Sequence, residues 1–150
     1  MVDVGIGTGI SARVFRQAGA FVVGVEADPR MAEVARRHGF QVEIGRFEDW
    51  DAAGRTFDAV IAGQTWHWVE PSEGTAKAAA VLRPRGRLAV FWNAGDPSPE
   101  IAAAFADIYR RVDTGLPFIP WQVPAAESYE HLIDRTIRAI RANGLFTEPE

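Results

Sequence analysis

The sequence opens with Met1-Val2-Asp3-Val4-Gly5-Ile6-Gly7-Thr8-Gly9-Ile10, an apolar run with one acid that leads into three alternating glycines. The apolar run predicts a short buried strand, and residues 10–18 are compatible with a helix. A strand that passes through a glycine turn into a helix makes room for a nucleotide-like ligand in an open α/β sheet. Glycine lets the backbone turn sharply and approach such a ligand closely. The alternative is a tight turn that binds nothing.

The rest of the chain alternates predicted strands and helices. Strands are predicted at residues 21–25, 40–45, 57–62 and 87–92, and helices at residues 28–38, 71–81, 98 onward and 128–143. Residues 82–86 predict a turn, and residues 145 and 146 the start of another strand. This alternation predicts an α/β fold with a doubly wound, mostly parallel Rossmann-like sheet and helices on both faces. We expect a single domain over residues 1–150, because no repeat or low-complexity segment interrupts the chain.

Several of the predicted helices have an apolar face, including the one at residues 128–143. In the helix after the glycines, Ile10, Val14 and Phe15 recur at helical spacing and are expected to face the core. The helix that begins at residues 98 and 99 groups four apolar or aromatic residues on one side, namely Ile101, Phe105, Ile108 and Tyr109.

The composition is that of a soluble globular protein. Of the 150 residues 47% are hydrophobic and 24% charged, and no apolar run approaches the roughly 20 residues of a membrane helix. The net charge of −4 without a basic block favours a small-molecule partner over nucleic acid or membrane. The absence of cysteine excludes disulfides, and the three scattered histidines predict no metal site. We expect a cytoplasmic location, because the N-terminus lacks the basic flank of a secretory signal.

Glu26 ends the second predicted strand, 17 residues beyond Gly9. Folds of this kind place a carboxylate there to accept hydrogen bonds from both hydroxyls of a ribose. The alternative is an exposed glutamate at a strand end. Asp28-Pro29 follows as the predicted N-cap and first residue of the next helix.

The third predicted strand leads into an acidic and aromatic segment, Arg46-Phe47-Glu48-Asp49-Trp50. The edge of a purine ring needs a backbone N–H beside a hydrogen-bond acceptor, and a strand-end segment with carboxylates offers both. Phe47 and Trp50 are expected either to cover the face of the ring or to pack against the next helix.

The fourth predicted strand exits into Gly63-Gln64-Thr65-Trp66-His67-Trp68. His67 is the candidate general base of this loop, because an imidazole pKa of about 6.5 suits neutral pH. Its alternative role is to order the loop between two tryptophans. Trp66 and Trp68 are expected either to line a substrate pocket or to pack in the core.

Together these motifs resemble the class I S-adenosylmethionine-dependent methyltransferases, in particular the bacterial group called type 11. The matching segments are Asp3-Val4-Gly5-Ile6-Gly7-Thr8-Gly9, Val23-Gly24-Val25-Glu26, Asp28-Pro29-Arg30-Met31, Phe57-Asp58-Ala59-Val60, Trp66-His67-Trp68 and Leu82-Arg83-Pro84. The resemblance implies methyl transfer from S-adenosyl-L-methionine to a small-molecule acceptor by in-line displacement. The other product would be S-adenosyl-L-homocysteine.

The resemblance also implies roles for the residues of the first motif. The backbone of Gly5, Ile6, Gly7 and Gly9 would cradle the methionine part of the cofactor. Asp3 would orient the loop or its waters.

The later motifs imply the ribose and adenine contacts. Glu26 would bind the ribose hydroxyls, and Ala27 would lie beside the adenine. Phe47 and Glu48 occupy positions that contact the adenine edge in the family. Gln64 follows the fourth strand, where a backbone carbonyl approaches the methionine amino group.

The chain departs from the family in two respects. Many relatives have an acid where this chain has Arg46, so adenine selection is expected to depend on Glu48 or Asp49. Relatives usually have helices before the glycine strand and two strands after the fifth, so the chain is expected to be shortened at both ends. A homodimer would cover the surface that these elements leave open.

Two other functions stay open. An NAD(P)-dependent oxidoreductase would need glycine at position 10, which is Ile10, and a lysine near Tyr109 or Tyr129, which is absent. A cofactor-binding or assembly module without turnover would have the same fold. The motifs do not specify the acceptor, although the apolar residues 116–121 suggest a small, partly hydrophobic molecule.

Overall fold

A five-stranded parallel sheet forms the centre of the computed structural model, which describes residues 1–95, 97–113, 115 and 124–149. The strands are β1 (Val2–Val4), β2 (Val23–Glu26), β3 (Gln41–Ile44), β4 (Phe57–Gly63) and β5 (Leu82–Phe91). Their order is β3-β2-β1-β4-β5. From β1 the chain first adds β2 and β3 on one side, and it then crosses to add β4 and β5 on the other side. In open α/β sheets ligands bind at such a switch point, outside the carboxyl ends of the strands. The predicted doubly wound Rossmann-like fold is confirmed.

Two neighbouring inner strands, β1 and β2, are buried along their whole length. All residues of β1 and β2 are buried, as in parallel sheets that are covered on both faces. Asp3 is paired with Gly24 on β2 and with Ile61 on β4, so a carboxyl group lies in the middle of the sheet.

Helices follow the strands in the predicted order. They are α1 (Ala12–Gln17), α2 (Pro29–Arg37), α3 (Pro71–Val81), α4 (Pro99–Arg111) and α5 (Ala125–Asn143), and a single 3-10 turn spans Trp66–Trp68. Asp28 caps α2 as predicted, because its side chain accepts a hydrogen bond from the backbone N–H of Arg30. Glu70 caps α3 in the same way through the N–H of Glu73.

The core beside the glycines joins α1 and α2 to the sheet. Ala12 of α1 and Ala32 and Ala35 of α2 pack in one buried cluster with Ile6 and Phe40. The predicted face of the first helix is therefore wrong in two positions, since Ile10 and Val14 are exposed and only Phe15 packs against this cluster. The short helix turns Ala12 inward, where a small side chain permits close packing.

Two strand boundaries also differ from the prediction. Phe21 lies before β2 and is exposed, because pairing with β1 begins at Val23. The predicted turn at residues 82–86 lies within β5, which begins at Leu82 opposite Phe57. The next pair joins Arg87 to Ala59, so the intervening residues form an irregularity, in which Arg85 has a φ of 68°.

The chain divides into two compact units, Met1–Phe91 with Thr136–Glu150, and Trp92–Arg135. In the second unit α4 buries Ala106, whereas its apolar residues Ile101, Phe105 and Ile108 are exposed. Residues 116–121, with their suggested role in acceptor binding, lie outside the described residues.

The strand expected at residues 145 and 146 does not form. Leu145 and Phe146 form a bend after α5, and Leu145 is exposed. A strand needs hydrogen bonds to a neighbour, and the sheet of the described residues ends at β3 on one side and β5 on the other.

Candidate functional site

Residues 5–9, here called the glycine loop, fold back over the end of β2. The N–H groups of Gly5 and Ile6 both donate to the carbonyl oxygen of Val25, at 2.8 and 3.3 Å, and Gly9 donates to Ile6 at 2.9 Å. Gly5, Gly7 and Gly9 all have positive φ, at 64°, 59° and 85°. This is the left-handed region that favours glycine, so the backbone path of the loop depends on all three residues.

Two of the glycines also leave room for a neighbouring side chain. A Cβ on Gly5 would lie 2.2 Å from Cγ2 of Thr65, and a Cβ on Gly9 would lie 2.7 Å from the ring of Phe40. Around Gly7 the space is open, because a Cβ there would come no nearer than 4.0 Å to Met31. The loop therefore packs closely at its two ends and presents bare backbone at its middle.

The carboxylate of Glu26 fixes the middle of the loop to β2. Its Oε2 accepts a hydrogen bond from the N–H of Gly7 at 2.8 Å, and its Oε1 accepts one from the N–H of Asp28 at 2.9 Å. The side chain is buried rather than exposed at the strand end. Because a carboxylate has about four acceptor positions, each oxygen keeps capacity for a further donor.

Asp3 lies beneath the glycine loop and is 1% exposed. Its Oδ2 accepts a long hydrogen bond of 3.4 Å from the hydroxyl of Ser11, and its Oδ1 has no hydrogen-bond partner in the described structure. Burial raises the pKa of Asp3 to about 7, and the nearby charge of Glu26 acts in the same direction, whereas the Ser11 hydroxyl opposes the rise. Two carboxyl groups thus lie beside the loop, but only Glu26 is well supplied with donors.

The segment after β3 is held by the side chain of Glu48. Its Oε1 accepts hydrogen bonds from the guanidinium of Arg46 at 3.0 Å and from the backbone N–H of Glu70 at 2.9 Å. Burial would raise the pKa of Glu48, but these donors outweigh it, and the pKa lies below its ordinary value. Glu48 therefore connects the β3 loop to the start of α3, while Asp49 is exposed beside it.

The aromatic residues of this segment belong to the core. Phe47 stacks on Trp50 with ring centroids 6.2 Å apart and lies 6.3 Å from Trp66. All three rings are buried. The side chains of Phe47 and Trp50 therefore pack in the protein interior, which is the second of the two roles expected for them.

The loop after β4 contains one buried and one exposed tryptophan. Trp66 is 1% exposed and belongs to the core, whereas Trp68 is 78% exposed. The imidazole of His67 lies against Trp68 with ring centroids 5.0 Å apart. Gln64 precedes them with a φ of 58°, and its N–H donates to the carbonyl of Phe91 at 2.9 Å.

The structure brings most of the predicted site residues to one edge of the sheet. The glycine loop is hydrogen-bonded to Glu26 at the end of β2 and to Thr65 after β4, and Asp3 precedes this loop within β1. Ala27 is exposed immediately after Glu26. Sequence reasoning missed Thr65 and Ser11. Their importance appears only in the folded chain, where Thr65 donates to the carbonyl of Gly5 and Ser11 donates to Asp3, although Ser11 lies at the predicted start of a helix.

The described residues contain no group of three or more histidine and acidic side chains that would hold a metal ion. None of the described helices is long and apolar enough to cross a membrane. Around the glycine loop this edge offers bare backbone and the carboxyl groups of Asp3 and Glu26, and the loop after β4 adds an imidazole and an exposed indole.

Comparison with known families identifies this arrangement. A family model described as a methyltransferase domain matches residues 2–90, from the start of β1 almost to the end of β5. The chain belongs to this methyltransferase family. The resemblance drawn from the motifs is therefore confirmed.

Curated relatives of this chain include proteins of several organisms. An uncharacterized methyltransferase of Mycobacterium tuberculosis is 37% identical over 98 residues, which cover 64% of this chain and 40% of that protein. A demethylmenaquinone methyltransferase of Corynebacterium kroppenstedtii is 30% identical over 142 residues, covering 93% of this chain and 60% of that protein. The chain thus spans about two fifths to three fifths of the length of these relatives.

Solved structures share its fold. An amino pentose methyltransferase of Micromonospora echinaspora, with S-adenosylmethionine bound, is 30% identical with a TM-score of 0.55, covering 66% of this chain and 43% of that one. A possible histamine N-methyltransferase of Thermotoga maritima is 24% identical with a TM-score of 0.57, covering 92% and 61%. The second likeness shows the fold alone.

Proposed function

We propose that the chain uses S-adenosyl-L-methionine to methylate a small-molecule acceptor. The observation that carries this proposal is the hydrogen bond from Gly7 N–H to Glu26, which joins an open stretch of backbone to a buried carboxylate at the switch point of the sheet. The family match and the solved relative with S-adenosylmethionine bound support it.

The glycine loop suits the methionine part of this cofactor. The backbone of Gly5, Ile6, Gly7 and Gly9 forms the cradle, and the open space at Gly7 lets a ligand approach to contact distance. Ile6 turns its side chain away from this space into the core, over Gly24, where a Cβ would lie 2.5 Å from it.

Glu26 suits the ribose. Each of its oxygens already accepts one backbone N–H and has capacity for one more donor, so the carboxylate can bind two vicinal hydroxyls while it holds the loop. Ala27, exposed beside it, would contact the adenine face without a bulky side chain.

The adenine edge would lie at the segment after β3. The side chains of Phe47 and Glu48 are occupied by packing and by hydrogen bonds, so we infer that these residues offer their backbone groups. Asp49 is exposed there, and we infer that its carboxylate accepts from the exocyclic amine. Arg46 would act indirectly, since it holds Glu48. The carbonyl of Gln64, held by the bond to Phe91, would accept from the methionine amino group.

When bound, S-adenosyl-L-methionine supplies an electrophilic methyl group on a positively charged sulfur. The protein aligns the acceptor for in-line attack and excludes water, which can account for most of the rate enhancement. His67 is the proposed base for an acceptor that loses a proton, because it combines an imidazole with a position beside the exposed Trp68. If it only orders this loop, its replacement will leave the pH dependence of turnover unchanged.

The acceptor is proposed to be a planar, partly apolar molecule. The relative that covers 93% of this chain is a demethylmenaquinone methyltransferase, and Trp68 presents an uncovered indole on the loop after β4. An aromatic ring can stack on such a side chain.

Calorimetric titration with S-adenosyl-L-methionine, S-adenosyl-L-homocysteine and NADH tests the cofactor assignment. We expect the two sulfur ligands to bind and NADH not to bind. Glu26→Ala should lose this binding, whereas Glu33→Ala, which removes an exposed carboxylate from α2, should retain it. Binding of NADH, or no binding of any ligand, would contradict the proposal.

A further inference from the structure

We propose that Asp3 releases a proton when a cationic cofactor enters the glycine loop, and that this carboxyl group thereby favours the sulfonium over the neutral thioether product. The inference rests on the proposed function and concerns the selectivity of the same site.

Few hydrogen-bond donors surround the carboxyl group of Asp3. The side chain is 1% exposed, one oxygen has no partner in the described structure, and the other has a single contact of 3.4 Å. A buried carboxylate with so few donors is costly in its ionised form. Glu26 differs, because both of its oxygens accept short hydrogen bonds from backbone N–H groups.

The groups around Asp3 are acidic or neutral. On β2 the nearby charged group is Glu26, which is also acidic, and on β4 the paired residue is the apolar Ile61. The turn before α1 contributes only the neutral hydroxyl of Ser11. No cation of the protein therefore compensates Asp3 within the described surroundings, and burial raises its pKa to about 7. In the empty site the carboxyl group retains a proton over much of the neutral range.

Asp3 lies next to the backbone that would cradle the cofactor. Asp3 precedes the glycine loop and Ser11 follows it, so the hydrogen bond between them joins the two ends of the loop. Glu26 holds the middle of the loop through the N–H of Gly7. A positive charge above the loop favours ionised Asp3, because opposite charges attract strongly where water is excluded. The O–H bond of Asp3 then breaks and the proton passes to the buffer, with no bond formed to the cofactor.

The pH dependence follows from the sign of this coupling. A ligand that prefers ionised Asp3 binds more tightly as the pH rises, until the pH exceeds the pKa of the free protein. We expect the affinity for S-adenosyl-L-methionine to fall about fivefold to tenfold between pH 8 and pH 6. S-adenosyl-L-homocysteine has the same amino and carboxylate groups but no sulfonium, so its affinity should fall less.

Calorimetry of both ligands at several pH values, in buffers of different ionisation enthalpy, measures the released protons directly. In Asp3→Asn the extra proton release with S-adenosyl-L-methionine should vanish, and its preference over S-adenosyl-L-homocysteine at pH 8 should drop several-fold. Asp51→Asn, which changes an exposed carboxylate in the loop before β4, should behave like the wild type.

A second variant separates this role from a structural one. Ser11→Ala removes the hydrogen bond that lowers the pKa of Asp3, so the pH midpoint of S-adenosyl-L-methionine affinity should move upward. Equal pH profiles and proton release for wild type and Asp3→Asn, with both ligands bound, would overturn this inference alone. Failure of the wild type to bind either ligand at any pH would overturn both it and the proposed function.

Discussion

The Oε2 atom of Glu26 accepts a hydrogen bond from the backbone N–H of Gly7 at 2.8 Å, so one carboxylate both ends β2 and holds the glycine loop. A ligand phosphate group would not suit the contacts of Glu26, because this buried carboxylate already makes the edge acidic. A ligand with hydroxyl donors and a positive charge suits it better, in agreement with the proposed cofactor.

Glu26→Gln should weaken binding of S-adenosyl-L-homocysteine by about 10- to 100-fold, since hydrogen bonds to a charged group contribute about 1.5–3 kcal/mol. The amide keeps the size of the side chain, but its NH₂ group cannot accept from a backbone N–H. Calorimetry measures the affinity, and Glu33→Gln on α2 is the matched control. Unchanged affinity would exclude Glu26 from the site.

Gly5→Ala should destabilise the fold more than Gly19→Ala. Both glycines have positive φ, at 64° and 90°, but only at Gly5 would the new Cβ meet a side chain, Thr65, at 2.2 Å. We expect a cost of about 1–2 kcal/mol at Gly19 from backbone strain and a further 1–3 kcal/mol at Gly5 from overpacking. Urea unfolding of the two variants measures the difference, and equal losses would show that Thr65 moves aside easily.

Asp3→Asn should change how stability depends on pH. The folded pKa of Asp3, about 7, lies above its ordinary value of 3.8, so the folded state holds a proton that the unfolded state has released. The wild type therefore loses stability from this group as the pH rises from about 4 to 7, and the loss is complete above that range.

The variant lacks this loss, so its free energy of unfolding relative to the wild type should rise by the order of 2–4 kcal/mol between pH 4 and 8. Denaturant unfolding at several pH values provides the measurement. A difference that stays constant with pH would show that Asp3 is ionised in the fold as readily as in the unfolded chain.

The two tryptophans of the β4 loop should respond differently to truncation. Trp66→Ala should cost about 3–5 kcal/mol, because it removes a side chain that is 1% exposed. Trp66→Phe should cost much less, since the indole N–H is buried without a hydrogen-bond partner in the described residues. Trp68→Ala should change stability by less than about 0.5 kcal/mol and should raise KM for an aromatic acceptor. Thermal unfolding and steady-state kinetics separate the two effects.

His67→Gln should leave cofactor affinity unchanged and lower kcat by about 10²- to 10⁴-fold for an acceptor that loses a proton. Its pH–rate profile should lose the limb that reports the imidazole. Full activity with an unaltered profile would assign His67 to ordering the loop against Trp68.

Much of the site could be predicted from the sequence, because its requirements are local. Gly5, Gly7 and Gly9 need a backbone conformation that other residues rarely adopt, and this need is visible in the glycine spacing. Glu26 was predictable because the carboxyl ends of parallel strands meet at one edge of the sheet. The alternation of strands and helices determined the fold class, because this pattern too depends on residues that are neighbours in the sequence.

Only the tertiary structure decided which side chains are buried and which are available. Trp66 and Trp68 lie two residues apart, yet one packs on Phe47 and the other is uncovered, because a single 3-10 turn directs them to different sides. Asp3 accepts a long hydrogen bond from Ser11, and Glu48 accepts one from the N–H of Glu70. Ser11 and Glu70 approach these carboxyl groups only in the folded chain. Burial and hydrogen bonding are set by such contacts between distant segments, and a pattern of neighbouring residues does not contain them.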